Sequence, residues 1–149
     1  MSTTPGDLTE HFHWWEFDCR DGTPVPENLR DNVRALARAL EVIRHAAGDR
    51  AVTVMSGYRT PAYNKVCNAA GHSQHMEGRA ADIRIAGLTP RQVRAIVLAC
   101  IARREIPQGG VGIYLPPKHD PGWVHYDIRG TAARWTDPLP GPVAAAEGA

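Results

Sequence analysis

The sequence predicts an α+β domain, a small sheet with antiparallel pairing flanked by helices. Apolar residues recur at three- and four-residue steps in two stretches, the mark of amphipathic helices. Short runs rich in β-branched residues lie between and after them and read as strands. The last two runs are joined too briefly for a parallel crossover, so at least part of the sheet is antiparallel. With 149 residues the chain suits one domain.

Residues 1–10 read as a flexible tail, 11–137 as the domain, and 138–149, rich in Pro, Ala and Gly, as a disordered tail. The domain opens on an aromatic cluster, His11 to Phe17, expected to anchor the N-terminus, and Asp21-Gly22 marks a turn. From Pro26 to Ala47, Leu29, Val33, Leu36, Leu40 and Ile43 mark one buried helical stripe, which Gly48 ends. Arg30, Arg34 and Arg38 form a solvated face of that helix. Ala51 to Met55 is a short buried strand broken by Ser56-Gly57, and Thr60-Pro61 caps a short helix. Residues 68–71 form a loop before a second strand, Ala80 to Ile85. Thr89 to Gln92 is a capping box for a helix to about Arg104. Gly110 to Leu115 and Trp123 to Ile128 are the final strands, around a proline-rich loop. The four tryptophans, Trp14, Trp15, Trp123 and Trp135, could line a groove, with core packing expected for most.

A formal net charge of +1 gives no case for nucleic-acid or membrane attraction. No apolar run approaches the roughly 20 residues of a membrane span. Met1 to Glu10 is polar and lacks an apolar signal core, so synthesis in the cytoplasm is expected. A target outside the membrane would then be reached after lysis or by particle delivery. Cys19, Cys67 and Cys100 are read as buried free thiols, with a Cys19–Cys67 disulfide as the alternative.

The densest stretch is Ser73-Gln74-His75-Met76-Glu77-Gly78-Arg79-Ala80-Ala81-Asp82. Its small residues let the backbone pass close to another element, and Asp82 falls in a strand. The far strand carries Trp123-Val124-His125-Tyr126-Asp127, where His125 shares a face with Trp123 and Asp127. Two imidazoles and one carboxylate, His75, His125 and Asp82, are the kind of three-ligand set that catalytic zinc uses, with a fourth position left for water. No cysteine competes.

These residues resemble a family. Ser73-x-His75-x-x-Gly78-x-Ala80-x-Asp82, followed by Trp123-Val124-His125, is similar to the zinc D-alanyl-D-alanine carboxypeptidases. Phage L-alanyl-D-glutamate endopeptidases belong to the same group, which shares its fold with the hedgehog signalling domain. Val54 to Asn64, with Ser56-Gly57-Tyr58-Arg59-Thr60-Pro61, and Trp15-Glu16-Phe17-x-Cys19-x-Asp21-Gly22 extend the resemblance over roughly 12–135, to a compact phage-like branch. It implies a hedgehog/DD-peptidase-like fold, zinc on His75, Asp82 and His125, and hydrolysis of D-amino-acid-containing peptides of peptidoglycan. Arg59 becomes the cation for a substrate carboxylate, and Ser73 a polar support near the metal.

One position departs from the family. Many members carry the general-base Glu or Asp three residues before the second His, where this chain has Gly122. The candidates for the base are Asp120, His119, Glu77 and Asp127, and Asp127 could instead orient a ligand from behind. The rival reading is a zinc-bearing, catalytically weak or inactive wall-binding module of a phage-like particle.

Overall fold

A computed structural model describes residues 5–67 and 71–139. Three α-helices and five strands follow in the order α1 (Arg30–Ala46), β1 (Val52–Ser56), α2 (Pro61–Val66), β2 (Ala80–Ile85), α3 (Pro90–Ala102), β3 (Gly110–Tyr114), β4 (Trp123–Asp127) and β5 (Ala133–Asp137). The strands form one sheet ordered β1-β2-β4-β3-β5. The first three pairings are antiparallel, and β5 lies parallel to β3 at the edge. The α+β reading holds. The sequence pattern gave no strand after Ile128, because Arg134, Thr136 and Asp137 interrupt any apolar run in β5.

The helices form where local chemistry starts and stops them. In α1 the stripe residues Val33, Leu36, Leu40 and Ile43 are fully buried. The helix expected from Pro26 begins as a short 3-10 turn, Glu27–Leu29, and becomes α-helical at Arg30. Gly48 turns the chain away with φ 82°. At α3 the Thr89 side chain accepts the Gln92 N–H, and the Gln92 side chain accepts the Thr89 N–H, closing the expected capping box. Thr60 caps α2 by accepting the Tyr63 N–H on its hydroxyl, with Pro61 in its first turn.

Alternation along the strands divides the sheet into two faces. Ile83 and Ile85 of β2, Val111 and Ile113 of β3, and Val124 and Tyr126 of β4 join the core with α1 and α3. Asp82, His125, Gly112 and Trp135 occupy the other face, and they are register partners in one row: Asp82 opposite His125, His125 opposite Gly112, Gly112 opposite Trp135. Ser56 completes this row on β1, beside a bulge.

Residues expected as a loose tail are docked from Gly6 to Glu10. Thr9 Oγ1 and the His11 N–H both donate to Glu41 Oε2 at 2.7 Å, and Leu8 N–H donates to the Phe12 carbonyl. Phe12 and Phe17 are buried, edge to face. Trp14, half-buried beneath Arg30 and Arg34, packs against the core, but the other three do not: Trp15 is exposed, and Trp123 and Trp135 open onto a cleft. The arginines read as a solvated face thus include two that cover Trp14. All three thiols are free, with Cys19 and Cys100 buried and Cys67 exposed. The tail expected over 138–149 lies outside the described residues from 140 onward. Among the described residues, no helix is long and apolar enough to cross a membrane.

Candidate metal centre

His75 stands on a 3-10 turn, Gln74–Glu77, between β1 and β2. Ser73 starts this turn by accepting the His75 N–H on its hydroxyl at 3.1 Å. Gly78 ends it with φ 70°, and a Cβ there would press on Val33 and Leu29 of the α1 region. This is the close approach that the small residues of the stretch anticipated. The Ser56–Arg59 segment fixes the ring. His75 Nδ1 lies 2.8 Å from the Gly57 carbonyl, and the Arg59 N–H donates to the His75 carbonyl. A carbonyl only accepts, so Nδ1 carries the proton and Nε2 keeps a lone pair.

Asp82 and His125 face each other across β2 and β4. His75 Nε2 lies 3.3 Å from Asp82 Oδ1, and His125 Nδ1 lies 3.2 Å from the same oxygen. All three residues are buried, and their donor atoms lie within 4.8 Å of one another. On the other side of the His125 ring, Nε2 meets Asp127 Oδ2 at 2.7 Å. Asp127 is itself fully buried and accepts the Gly110 N–H and the Arg129 N–H and guanidinium. Burial works against its charge, but Arg129 and His125 hold the carboxyl far below the usual carboxylate range. An ionised carboxylate accepts, so His125 Nε2 donates to Asp127, which leaves Nδ1 as the nitrogen on the Asp82 side to serve a metal when the ring is neutral.

Burial also disfavours the Asp82 charge, and the two imidazoles overcome it, holding the carboxyl far below its ordinary value. Burial pulls the His125 pKa down, while Asp127 and Asp82 push it up, and the net direction is up. With both rings neutral, the set offers two nitrogen lone pairs and one anionic oxygen converging on one point. That matches a tetrahedral divalent ion with N and O donors.

The three residues line a cleft of about 730 Å³. Its wall includes Arg59, Tyr114, Lys118, His119, Trp123 and Trp135. Arg59, 9% exposed, donates from Nη2 to Asp82 Oδ2 at 3.0 Å and from Nε to Ser56 Oγ at 3.0 Å. It supports the ligand set while facing the cleft. Tyr114 stacks on Trp123 and accepts the Trp135 indole N–H on its hydroxyl. Trp135 lies across Gly112, where any Cβ would collide with the indole, and brings its ring to 4.8 Å from that of His125.

The four candidates for a proton carrier separate. His119 lines the cleft. Asp120 is exposed in the turn before Pro121 and takes no part in the lining. Glu77 also stays outside the lining, its carboxylate 3.4 Å from His72. Asp127 sits behind His125, saturated with donors. At Gly122, three residues before His125, φ is 89° and a Cβ would strike the Tyr114 carbonyl. No side chain fits there. Sequence reasoning passed over Tyr114, Arg129 and Asp137. The first two carry no local signal, and Asp137 is brought near by the strand that the pattern did not show.

A two-layer α+β domain with a buried His/Asp/His triad on its open sheet face defines a metallopeptidase-like class of protein. The sequence matches the Peptidase M15 family over residues 10–127, and the chain belongs to that family. One relative is the zinc D-Ala-D-Ala carboxypeptidase of Streptomyces albus G, 39% identical over 66 residues. The aligned stretch is 44% of this chain and 26% of that enzyme, so the chain matches about a quarter of the relative's length.

Proposed function

We propose that the chain is a zinc peptidase acting on D-amino-acid-containing peptides of bacterial peptidoglycan. The observation that carries this reading is the convergence of His75 Nε2, Asp82 and His125 Nδ1 within 4.8 Å on the wall of an open cleft. These three atoms would hold the zinc. Bound there, zinc supplies Lewis acidity toward a peptide carbonyl and toward water. The rest of the work falls to the chain. Asp127 holds His125 in the tautomer that leaves Nδ1 free, and the Gly57 carbonyl does the same for His75 Nε2. Arg59, anchored by Asp82 and Ser56, offers its guanidinium to a substrate carboxylate. The Tyr114–Trp123 stack gives a rigid apolar wall for the peptide. His119 takes the proton of the attacking water and passes it to the leaving amine.

The test is direct. Purified protein should carry about one zinc per chain, and His75→Ala should lose it. Peptides ending in D-Ala-D-Ala and peptides with an L-Ala–D-Glu bond are then incubated with the zinc-loaded protein and read by mass spectrometry. Cleavage of either supports the reading. Full zinc retention in His75→Ala removes the ligand set. Zinc and peptide binding without turnover would favour a wall-binding module.

A further inference from the structure

The strand β5 begins six residues after the stretch that matches the family, so nothing carried over from that match assigns it a role. It nevertheless reaches the cleft. Its parallel register on β3 sets Asp137 opposite Tyr114, at the end of the sheet where the Pro116–Gly122 loop departs. The Asp137 carbonyl accepts the Leu115 N–H, which ties the strand end to the start of that loop. Its carboxylate reaches back into the loop. Oδ2 lies 2.8 Å from His119 Nε2, and Oδ1 accepts the Lys118 ammonium at 2.9 Å. The ring of His119 is held edge-on by two aromatics, Tyr114 at 5.2 Å and Trp123 at 4.9 Å between centroids.

From this geometry we infer that Asp137 is the positioning residue that makes His119 a competent proton carrier, an inference that rests on the peptidase reading above. Lys118 and His119 lower the Asp137 pKa, so the carboxyl is ionised and its oxygens only accept. His119 Nε2 must then carry the proton, which leaves the lone pair on Nδ1. The aromatic pair flanks the ring, and the carboxylate selects the tautomer. In the reaction Nδ1 accepts a proton from the attacking water as its oxygen bonds to the peptide carbon. The imidazolium so formed is offset by the Asp137 charge across 2.8 Å. As the C–N bond breaks, the same proton passes to the departing nitrogen, and His119 is neutral again. This places on β5 the support for a base that position 122 cannot supply, since Gly122 has no room for a side chain.

Two measurements test it. In the first, long-range ¹H–¹⁵N spectra of the full chain read the His119 tautomer at a pH where the ring is neutral. The Nε2–H form is expected, with a loss of that preference in Asp137→Ala, and a predominant Nδ1–H form would overturn the inference without recourse to activity. In the second, kcat and KM of the zinc-loaded protein are compared on a cleavable wall peptide. Asp137→Asn should lower kcat by about 100-fold, with KM and zinc content within about twofold of the parent, and His119→Gln should lower kcat at least as much. If His119→Gln is crippled and Asp137→Asn is not, the role of Asp137 falls while His119 stands as the base. If neither variant changes kcat, His119 is not the proton carrier and both statements fall.

Discussion

His125 Nε2 and Asp127 Oδ2 lie 2.7 Å apart on the same strand, two residues from each other. This contact, shorter than the 3.2 Å between Nδ1 and Asp82 Oδ1, holds a proton on Nε2 and turns Nδ1 toward Asp82 and His75. The contact is possible because residues i and i+2 of a strand share a face. Asp127→Asn should therefore weaken zinc binding by about 10- to 100-fold, the usual consequence of losing the partner behind a histidine ligand. Competition with a chromophoric chelator measures it. An unchanged affinity would show that the tautomer does not depend on Asp127.

The metal-free and metal-loaded proteins should respond oppositely to pH. The folded-state pKa of His125 is raised, against the pull of burial, by Asp127 and Asp82. A raised pKa contributes stability that is full below the unfolded value of about 6.5 and is lost as pH rises through the folded value. With a chelator present, melting temperature should fall as pH rises above about 6.5. With zinc bound, the ligands must be neutral imidazoles, so the same rise in pH should preserve or increase it. Scanning calorimetry from pH 6 to 9 distinguishes the two slopes, and parallel curves would contradict the coupling.

Arg59 has two tasks, and a substitution should separate them. Arg59→Ala should weaken binding of a carboxylate-bearing peptide by about 1.5–3 kcal/mol, the range for a hydrogen bond to a charged group. Lys should restore only part, since it offers no planar fork. Arg59 also donates to Asp82 Oδ2, so some loss of zinc affinity should accompany the alanine variant. Calorimetric titration with peptide and with zinc reads both, and an unchanged peptide affinity would reject the substrate role.

Gly112 tests the packing of Trp135. A methyl at this position would meet the indole at Nε1 and Cε2. Gly112→Ala should displace the ring and cost about 1–3 kcal/mol, the range for overpacking. The urea midpoint and the tryptophan fluorescence maximum should both move. A variant with the parent's stability and spectrum would mean that the ring has room elsewhere.

The docked N-terminus depends on one side chain of α1. Glu41 accepts Thr9 Oγ1 and the His11 N–H, and sits 2.6 Å from His11 Nδ1. Burial raises its pKa, but these donors prevail and lower it. Glu41→Ala should release residues 7–12, and faster hydrogen exchange at the His11 amide would report it. Exchange at the parent's rate would mean that Phe12 and Phe17 hold the segment without Glu41.

The sequence by itself determined the elements whose signals are local. Thr89 and Gln92 are three residues apart, so their mutual cap is visible in the chain. The α1 stripe repeats within single turns, and the β-branched runs mark four of five strands. It also marked His75, Asp82 and His125 as chemically suited to one metal, and the family resemblance added Arg59 and Ser73 beside them. Tertiary structure alone decided the rest. Asp82 and His125 are 43 residues apart, and only strand register makes them partners. Which imidazole nitrogen is free was settled by the Gly57 carbonyl and the Asp127 carboxylate, contacts that no spacing encodes. The sequence left four candidates for the base open, and of these His119 lines the cleft, Asp127 is buried behind His125, and Asp120 and Glu77 lie outside the lining. β5 was invisible because an edge strand with only one neighbour has little apolar demand on its residues. Its register on β3, set after the chain has turned back through Gly130, is what carries Asp137 to His119.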